Sequence, residues 1–239
     1  MEWQGDGLIL SVRRHGETSA IIDVLTRDRG RHSGLVRGGR SRSQRPVLQA
    51  GNLVHLVWRA RLEDHLGMFS ADPHRMIVAG IIDSMPRLAA VTTLTTLASL
   101  LPEREPHPRL YDASLLLLEH LDDDDIWPAL LVRWELGLLD ELGFGLDLEK
   151  CAMSGEREGL AFVSPRSGKA VTAAQGEPWK DKLLRLPGFL AGTATSPSRQ
   201  DVADGLELTG HFLTRHVFEP RGVAVPEARS RIVRWLRTG

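Results

Sequence analysis

The hydrophobic pattern of the chain changes its period near residue 80, and this change constrains the fold more than any other feature. Before it, short segments rich in β-branched residues alternate with turn signals, over 7–14, 19–28, 30–38, 52–62 and 66–72. After it, apolar residues recur every three to four positions, which predicts helices at 80–101, 109–121, 125–143, 199–218 and 226–237. The pattern predicts an α+β protein with its strands first and most of its helices second.

Five short strands with one long connection after the third predict a small closed barrel of the OB type. A sandwich fragment would leave strand edges to protect. We assign the barrel to residues 1–78 and a mainly α-helical domain to residues 79–239. Within the helical domain, residues 159–172 predict two strands around a Ser-Pro-Arg-Ser-Gly turn, a β-hairpin inserted near 151–175. Asp125 and Gly143 are predicted to cap the helix at 125–143.

Positive charge is gathered near one end of a chain that is almost neutral overall. The 239 residues carry a formal net charge of −1, yet residues 1–61 contain eleven Arg and five acidic residues, a net charge of +6. Between Arg27 and Arg45 there are seven Arg and a single acid, Asp28. This asymmetry predicts that the first domain is attracted to a polyanion.

The densest positive charge falls in residues 37–46, RGGRSRSQRP, which we call the basic loop. Its arginines can neutralise several phosphates and release their counterions, so binding should be salt-sensitive. Aromatic residues that could stack on bases are scarce in this half of the chain. We therefore expect nucleic acid to be held by its backbone, with little sequence preference. The candidate DNA-binding residues are Arg13, Arg14, Arg31, Arg37, Arg40, Arg42 and Arg45.

The sequence carries no recognised catalytic or metal-binding pattern. It has no Gly-Lys-Ser/Thr phosphate loop and no His-Glu-x-x-His. Asp122–Asp125 is predicted to be a solvated loop rather than a magnesium site. Cys151 opens the segment CAMSG, but Ser154 stands where a zinc knuckle needs its second cysteine, and one thiolate cannot form a structural zinc site. We predict no enzymatic activity, no catalytic residue, no cofactor and no metal.

The expected cellular location is the cytoplasm. The N-terminus lacks a basic region followed by an apolar run, and no segment is long and apolar enough for a bilayer. A single cysteine suits a reducing compartment.

Three segments stand out by their order and spacing: GETSAIIDVLT, the basic loop followed by VLQAG, and RWELGLLDELGFGLDLEKCA. Together they resemble RecO, a family of bacterial recombination mediators. The resemblance implies an OB fold joined to a helical domain, and a non-enzymatic protein that binds single- and double-stranded DNA and anneals complementary strands. It also implies contact with RecR and with the acidic tail of single-strand-binding protein, and indirect help in loading RecA on coated strands. Some family members carry a four-cysteine zinc ribbon; here the hairpin would be a remnant of it without metal.

An acidic tail needs a cation beside an apolar groove. Arg133 interrupts the apolar run PALLVRWELGLL next to Trp134, and these two residues are the candidate tail-binding site. The alternative, that Arg133 is a rim residue paired with Glu135 or Asp140, stays open. Four arginines on the last predicted helix form a second basic surface, which we interpret as a solvated face: Arg229, Arg231, Arg234 and Arg237.

Three other functions remain open at this stage. The chain could be an OB-fold RNA-binding protein of translation or RNA processing, because nothing in it reads a 2′-hydroxyl. It could be a metal-dependent nuclease using Asp122–Asp125. It could also be an adaptor whose basic loop binds acidic proteins only.

Overall fold

Strands in the first 75 residues close into a barrel. They are β1 (Glu2–His15), β2 (Ser19–Thr26), β3 (Gly30–Val36), β4 (Leu53–Arg59) and β5 (Met68–Arg75). Their order around the barrel is β1-β2-β3-β5-β4, and β4 pairs back onto β1. This is the OB topology that the sequence predicts. The computed structural model that gives this fold describes residues 1–62 and 64–238.

The barrel core is filled by the inward-facing residues of these strands. Ile22, Leu56 and Trp58 are each at most 1% exposed, and burial of each such side chain contributes about 1.5–3 kcal/mol. The indole N–H of Trp58 donates to the carbonyl of Leu66 at 3.1 Å, so its polar atom is satisfied. Gly34 is required beside this core, because a Cβ there would lie 2.3 Å from the ring of Phe69.

The same part of the chain contains one helix between β3 and β4 and further helices after β5. They are α1 (Gln44–Val47), α2 (Ile77–Ile81), α3 (Met85–Ala98) and α4 (Pro108–Glu119). The sequence predicted one helix over 80–101, and the structure divides it between α2 and α3. Ser84 is extended, with φ −109° and ψ 101°, and Pro86 occupies the first turn of α3. Proline fits a first turn but would clash inside a continuous helix, so the helix begins anew there.

The chain divides into two compact units, Met1–Leu118 and Glu119–Gly239. Helices α2, α3 and nearly all of α4 therefore belong to the same unit as the barrel. The boundary drawn from sequence at 78/79 marks the end of the barrel rather than the end of this unit. No helix within residues 1–62 and 64–238 combines the length and apolar composition needed to cross a lipid bilayer.

The second unit is mainly helical and contains a small sheet. Its helices are α5 (Trp127–Glu141), α6 (Ala173–Gly176), α7 (Arg199–Leu213), α8 (Glu219–Arg221) and α9 (Glu227–Thr238), with a 3-10 helix at Glu177–Lys182 and a π-helical turn at Thr214–Phe218. The sheet strands are β6 (Leu160–Val163), β7 (Ala170–Thr172) and β8 (Leu184–Arg185). The predicted hairpin is β6–β7, and β8 pairs with the other edge of β6.

The ends of α5 agree with the sequence at one terminus only. Gly143 follows the helix with φ 84°, and its N–H donates to the carbonyl of Asp140 at 2.9 Å, as expected of a glycine at a helix C-terminus. The prediction that Asp125 caps the N-terminus is wrong. Ile126 occupies the cap position, and Asp124 instead accepts a hydrogen bond from the indole of Trp127 at 3.0 Å.

A buried ion pair joins α5, α7 and α9. Glu135 is 0% exposed and Arg229 is 5% exposed. The guanidinium of Arg229 donates to both carboxylate oxygens of Glu135 and to the carbonyl of Leu206. The hydroxyl of Thr209 also donates to the same carboxylate. Each buried charge therefore has a partner, as burial requires.

Candidate nucleic-acid interface

The basic loop is an ordered segment of the structure. The N–H of Ser41 donates to the carbonyl of Gly38 at 2.9 Å, and the N–H of Leu48 donates to that of Gln44 at 2.8 Å. Gly38 has φ 66°, a conformation that favours glycine. Immediately after the loop, Val47 and Leu48 pack into the barrel core. The sequence left the order of this loop open, and in the structure its turns and α1 fix its path.

Arg40 ties the basic loop to the turn between β1 and β2. Its backbone N–H donates to the carbonyl of Thr18 at 3.0 Å. Its guanidinium donates to the carbonyls of Gly16 and Glu17, at 3.0 and 2.6 Å. These acceptors are neutral carbonyl oxygens, so Arg40 keeps its full positive charge while it holds the loop in place.

Three further arginines of the basic loop project into solvent. Arg37, Arg42 and Arg45 are exposed, and none forms a salt bridge with an acidic residue in the described parts of the chain. Elsewhere on the barrel, Arg27 pairs with Asp112 at 3.0 Å and Arg59 pairs with Glu2 at 2.8 Å. The loop therefore carries uncompensated positive charge, which is the condition for attracting phosphate.

A shallow groove of about 290 Å³ borders the basic loop on the barrel. Arg37 and Gln44 line it from the loop, and Ser70 and Met68 line it from β5. The side-chain oxygen of Gln44 is buried and has no hydrogen-bond partner among the described residues. A buried amide without a partner costs stability, and a ligand that donates a hydrogen bond would relieve this cost. The groove thus combines an unpaired cation with an unused acceptor.

Among the described residues of the barrel, no tryptophan or phenylalanine is exposed. Trp58 is 1% exposed and Phe69 is 4% exposed. Trp3 is half-buried, with its ring stacked on Trp58 at 6.0 Å between centroids. Stacking of successive bases on open aromatic platforms is therefore not available here. The chemistry of this surface is that of backbone binding through charge.

The three remaining barrel candidates differ in their surroundings. Arg13 and Arg14 are exposed on β1, but successive strand residues point to opposite faces. Arg14 stands opposite Ala20, against which Gly39 of the basic loop packs so closely that an added Cβ would lie 3.0 Å from the Ala20 methyl. Ala20 thus lies between Arg14 and the basic loop.

Arg31 is engaged inside the first unit. It pairs with Asp23 at 2.8 Å and with Glu103 at 3.5 Å, and its Nε donates to the carbonyl of Leu101 at 2.8 Å. Burial raises the pKa of Asp23 above its ordinary value, and the neighbouring Arg31 acts against this rise. With its charge balanced in this way, Arg31 connects the barrel to the 99–107 loop. We leave it out of the candidate surface.

In the second unit, Arg133 lines a groove of about 460 Å³. Ile126, Leu130 and Phe189 supply apolar surface to this groove, and Asp125 adds one carboxylate. The guanidinium of Arg133 donates to the carbonyl of Phe189 at 2.9 Å and lies 5.9 Å from the centroid of its ring.

The structure separates the two residues proposed for the tail-binding site. Arg133 is exposed and lines the groove, whereas Trp134 is 2% exposed and does not line it. Adjacent helix residues point about 100° apart, which places one outward and the other inward. Glu135 pairs with Arg229 rather than with Arg133. No sequence pattern pointed to Phe189, because this residue reaches the groove from a distant part of the chain.

The last helix does not present an open basic surface. Arg229 is buried against Glu135, Arg231 and Arg234 both pair with Glu227, and Arg237 pairs with Glu207. These exposed pairs contribute little to stability, but they offset part of the positive charge of α9, where Arg231 and Arg234 share one glutamate.

The surroundings of Cys151 do not fit a structural zinc ion. Cys151 is the only cysteine of the chain, and it is 2% exposed. Burial by itself raises its pKa, but hydrogen bonds from Ser154, Thr172 and Met153 outweigh this and lower the pKa to about 6. The backbone N–H of Thr172 donates to the sulfur at 3.4 Å. Main-chain N–H groups and hydroxyls thus surround the sulfur, where zinc would need further thiolates or imidazoles.

Family comparison agrees with this architecture along the chain. A model described as Recombination protein O N terminal matches residues 1–77, and one described as Recombination protein O C terminal matches residues 83–223. The chain belongs to the RecO family. This membership confirms the resemblance seen in the sequence and gives the chain a role in DNA repair and recombination.

RecO relatives align with nearly the entire chain. The DNA repair protein RecO of Methylobacterium nodulans is 52% identical over 238 residues, which cover 98% of this chain and 97% of the relative. That of Mesorhizobium japonicum is also 52% identical, over 99% of this chain and 94% of the relative. That of Rhizobium rhizogenes is 52% identical over 96% of this chain and 89% of the relative.

Proposed function

We propose that this RecO-family chain is a non-enzymatic recombination mediator that binds single- and double-stranded DNA and anneals complementary strands. The observation that carries the proposal is the uncompensated charge of the basic loop: Arg37, Arg42 and Arg45 lie exposed without acidic partners among the described residues, and Arg40 holds the loop in place. Arg14 adds to the same surface.

Annealing follows from charge without bond chemistry. Two complementary strands repel each other through their phosphates, and a surface that neutralises both lowers this repulsion. Because no tryptophan or phenylalanine is exposed among the described residues of the barrel, the bases stay free to pair with each other. Contacts with the sugar–phosphate backbone also suit a protein that must act on any sequence.

The partner interactions form the second part of the proposal. The groove at Arg133 pairs a cation with the apolar surface of Ile126 and Leu130, which suits the acidic tail of single-strand-binding protein. Through this contact and through RecR, the chain would help RecA to load on coated single strands at the nucleoid. Family membership supports these roles, and the groove supplies the chemistry for the first of them.

The test is strand annealing followed by fluorescence, with complementary strands coated by cognate single-strand-binding protein. The variant Arg37/Arg42/Arg45→Ala removes three uncompensated charges. The control Arg231/Arg234/Arg237→Ala removes the same number of charges from α9, where each is paired with a glutamate. We expect wild type and the control to accelerate annealing and the basic-loop variant to lose most of this acceleration.

Two outcomes would contradict the proposal. Wild type without effect on coated and bare strands would remove the annealing function, and equal rates for the two variants would move the DNA site away from the basic loop. Competition between matched DNA and RNA oligonucleotides completes the experiment. A tenfold or greater preference for RNA would favour the RNA-binding alternative over a DNA mediator.

A further inference from the structure

Three side chains that bind metal ions in many proteins meet on the outer surface of the barrel, apart from the basic loop. Asp6 lies on β1, His55 on β4 and His74 on β5. Asp6 and His55 are direct cross-strand partners, so their side chains project from the same face of the sheet. All three residues are exposed.

A β-bulge brings His74 into this group. Leu53 pairs with Arg75 and Val54 pairs with Pro73, so His74 is the extra residue between two successive pairs. Such a residue changes the direction in which a strand presents its side chains. The His74 ring consequently stacks on the ring of His55, with centroids 4.3 Å apart and planes at 13°.

The donor atoms are close enough to share one ion. His55 Nδ1 and Asp6 Oδ1 form a short hydrogen bond, and His74 Nδ1 lies 3.7 Å from Asp6 Oδ2. One donor atom from each residue falls within 4.8 Å of the others. A tetrahedral zinc ion with bonds near 2.0 Å separates its ligand atoms by about 3.3 Å. Rotation of the three exposed side chains can bring their ligand atoms from the observed separations to this distance.

An ordinary hydrogen-bonded pair explains only part of the arrangement. Asp6 and His55 satisfy each other without help. The bulge adds a second imidazole to the same carboxylate, stacked on the first. Two imidazoles and a carboxylate form a donor set suited to divalent transition metals such as zinc.

We propose that Asp6, His55 and His74 bind a divalent transition-metal ion of the zinc class. The protein supplies three ligands, and the remaining coordination positions face solvent. Structural zinc sites have four protein ligands and are closed, so this ion exchanges with solution. The site is independent of Cys151, which lies in the second unit. The sequence predicted no metal because the three ligands come from three strands and follow no local spacing.

The test is a titration of the full chain, first treated with chelator, with Zn²⁺ alone against a competing colorimetric zinc indicator. We expect one equivalent to bind wild type. His55→Gln and His74→Gln should each weaken this binding at least tenfold. His15→Gln, which alters an exposed histidine elsewhere on the barrel, and Cys151→Ser should bind as wild type does. Circular dichroism of every variant checks that the fold is kept.

A second measurement, on wild type alone, tests the same three zinc ligands. Addition of Zn²⁺ should shift the imidazole NMR signals of His55 and His74 together, at one equivalent, and leave that of His15 in place. The proposal is overturned if wild type binds no stoichiometric zinc. It is equally overturned if both glutamine variants keep wild-type affinity, or if Cys151→Ser abolishes binding.

Discussion

Inside the second unit, the guanidinium of Arg229 donates one hydrogen bond to each carboxylate oxygen of Glu135, at 2.8 and 2.9 Å. Removing one partner of such a pair leaves a buried charge and costs about 3–5 kcal/mol. We expect Arg229→Met to lower the free energy of unfolding by about this amount in chemical denaturation. The exposed control Arg231→Met should change it by less than about 0.5 kcal/mol.

The double variant Glu135→Leu/Arg229→Met separates a buried charge from lost packing. Because both charges are gone, it should recover most of the stability that Arg229→Met loses. A double variant as unstable as the single one would show that the contacts of the Arg229 side chain with α7, rather than the orphaned carboxylate, cause the loss.

The salt dependence of DNA binding should report the basic loop directly. Each phosphate contact with single-stranded DNA contributes about −0.7 to the slope of log affinity against log salt concentration. The variant Arg37/Arg42/Arg45→Ala should therefore flatten this slope by about 2, measured by fluorescence anisotropy of a labelled oligonucleotide. Arg231/Arg234/Arg237→Ala should leave it close to wild type, and an equal flattening in both variants would argue against a localised site.

Arg40 should act through position as well as charge. Arg40→Ala removes the two hydrogen bonds to the carbonyls of Gly16 and Glu17, each contributing about 1 kcal/mol. We expect the amides of Ser41 and Leu48 to lose protection from hydrogen exchange, and DNA affinity to fall more than in Arg42→Ala. Arg42→Ala removes the same charge from the same loop. Equal effects of the two variants on exchange and affinity would show that Arg40 contributes only its charge.

The groove at Arg133 predicts a specific loss of peptide binding. Arg133→Ala should weaken binding of the acidic tail peptide of single-strand-binding protein about tenfold, which corresponds to about 1.4 kcal/mol. Isothermal titration with the full chain measures this. Arg157→Ala removes an exposed charge from the same unit and should have little effect. Unchanged affinity in Arg133→Ala would place the tail elsewhere.

The thiol of Cys151 should titrate in an unusual range. Its folded pKa of about 6 lies below the value of about 8.5 for an unfolded thiol. A lowered folded pKa gives stability that is fully present above the unfolded pKa and is lost as pH falls through the folded pKa. The unfolding free energy of wild type minus that of Cys151→Ser should thus rise between about pH 6 and pH 8.5 and stay flat below.

Ultraviolet thiolate absorbance of the native protein gives a direct check on this pKa. A midpoint near 6 that disappears in Cys151→Ser agrees with the hydrogen bonds from Thr172 and Ser154. A midpoint above 8 would mean that burial outweighs those hydrogen bonds.

The barrel was predictable because alternation along a strand is a local property. Residues such as Ile22 and Val24 face the core in the order that their spacing indicates. The predicted helix divides before Pro86 because proline lacks a backbone N–H and clashes with the preceding turn. The sequence alone does not decide whether such a proline bends a helix or begins a new one. The unit boundary at Leu118 depends on which surfaces α2 to α4 bury, and this information is not local.

The interface shows the same limit more sharply. The basic loop was visible in the sequence as a run of like charges. The two acids that neutralise Arg31 were not, because Asp23 lies on another strand and Glu103 lies far along the chain. Sequence adjacency placed Trp134 beside Arg133, although the helix turns them to different sides. His74 reaches Asp6 only because β5 contains a bulge, and a bulge leaves no pattern that alternation can reveal.

The contact by which Arg40 holds the basic loop does not depend on the side chains of the neighbouring turn. Arg40 bonds to main-chain oxygens of Gly16 and Glu17, and every amino acid carries such an oxygen. The side chain at position 17 can therefore change without releasing the loop. The charge of this surface can thus be changed without changing its shape. Replacing Glu17 by a lysine would alter the attraction for DNA while the arginines keep their positions.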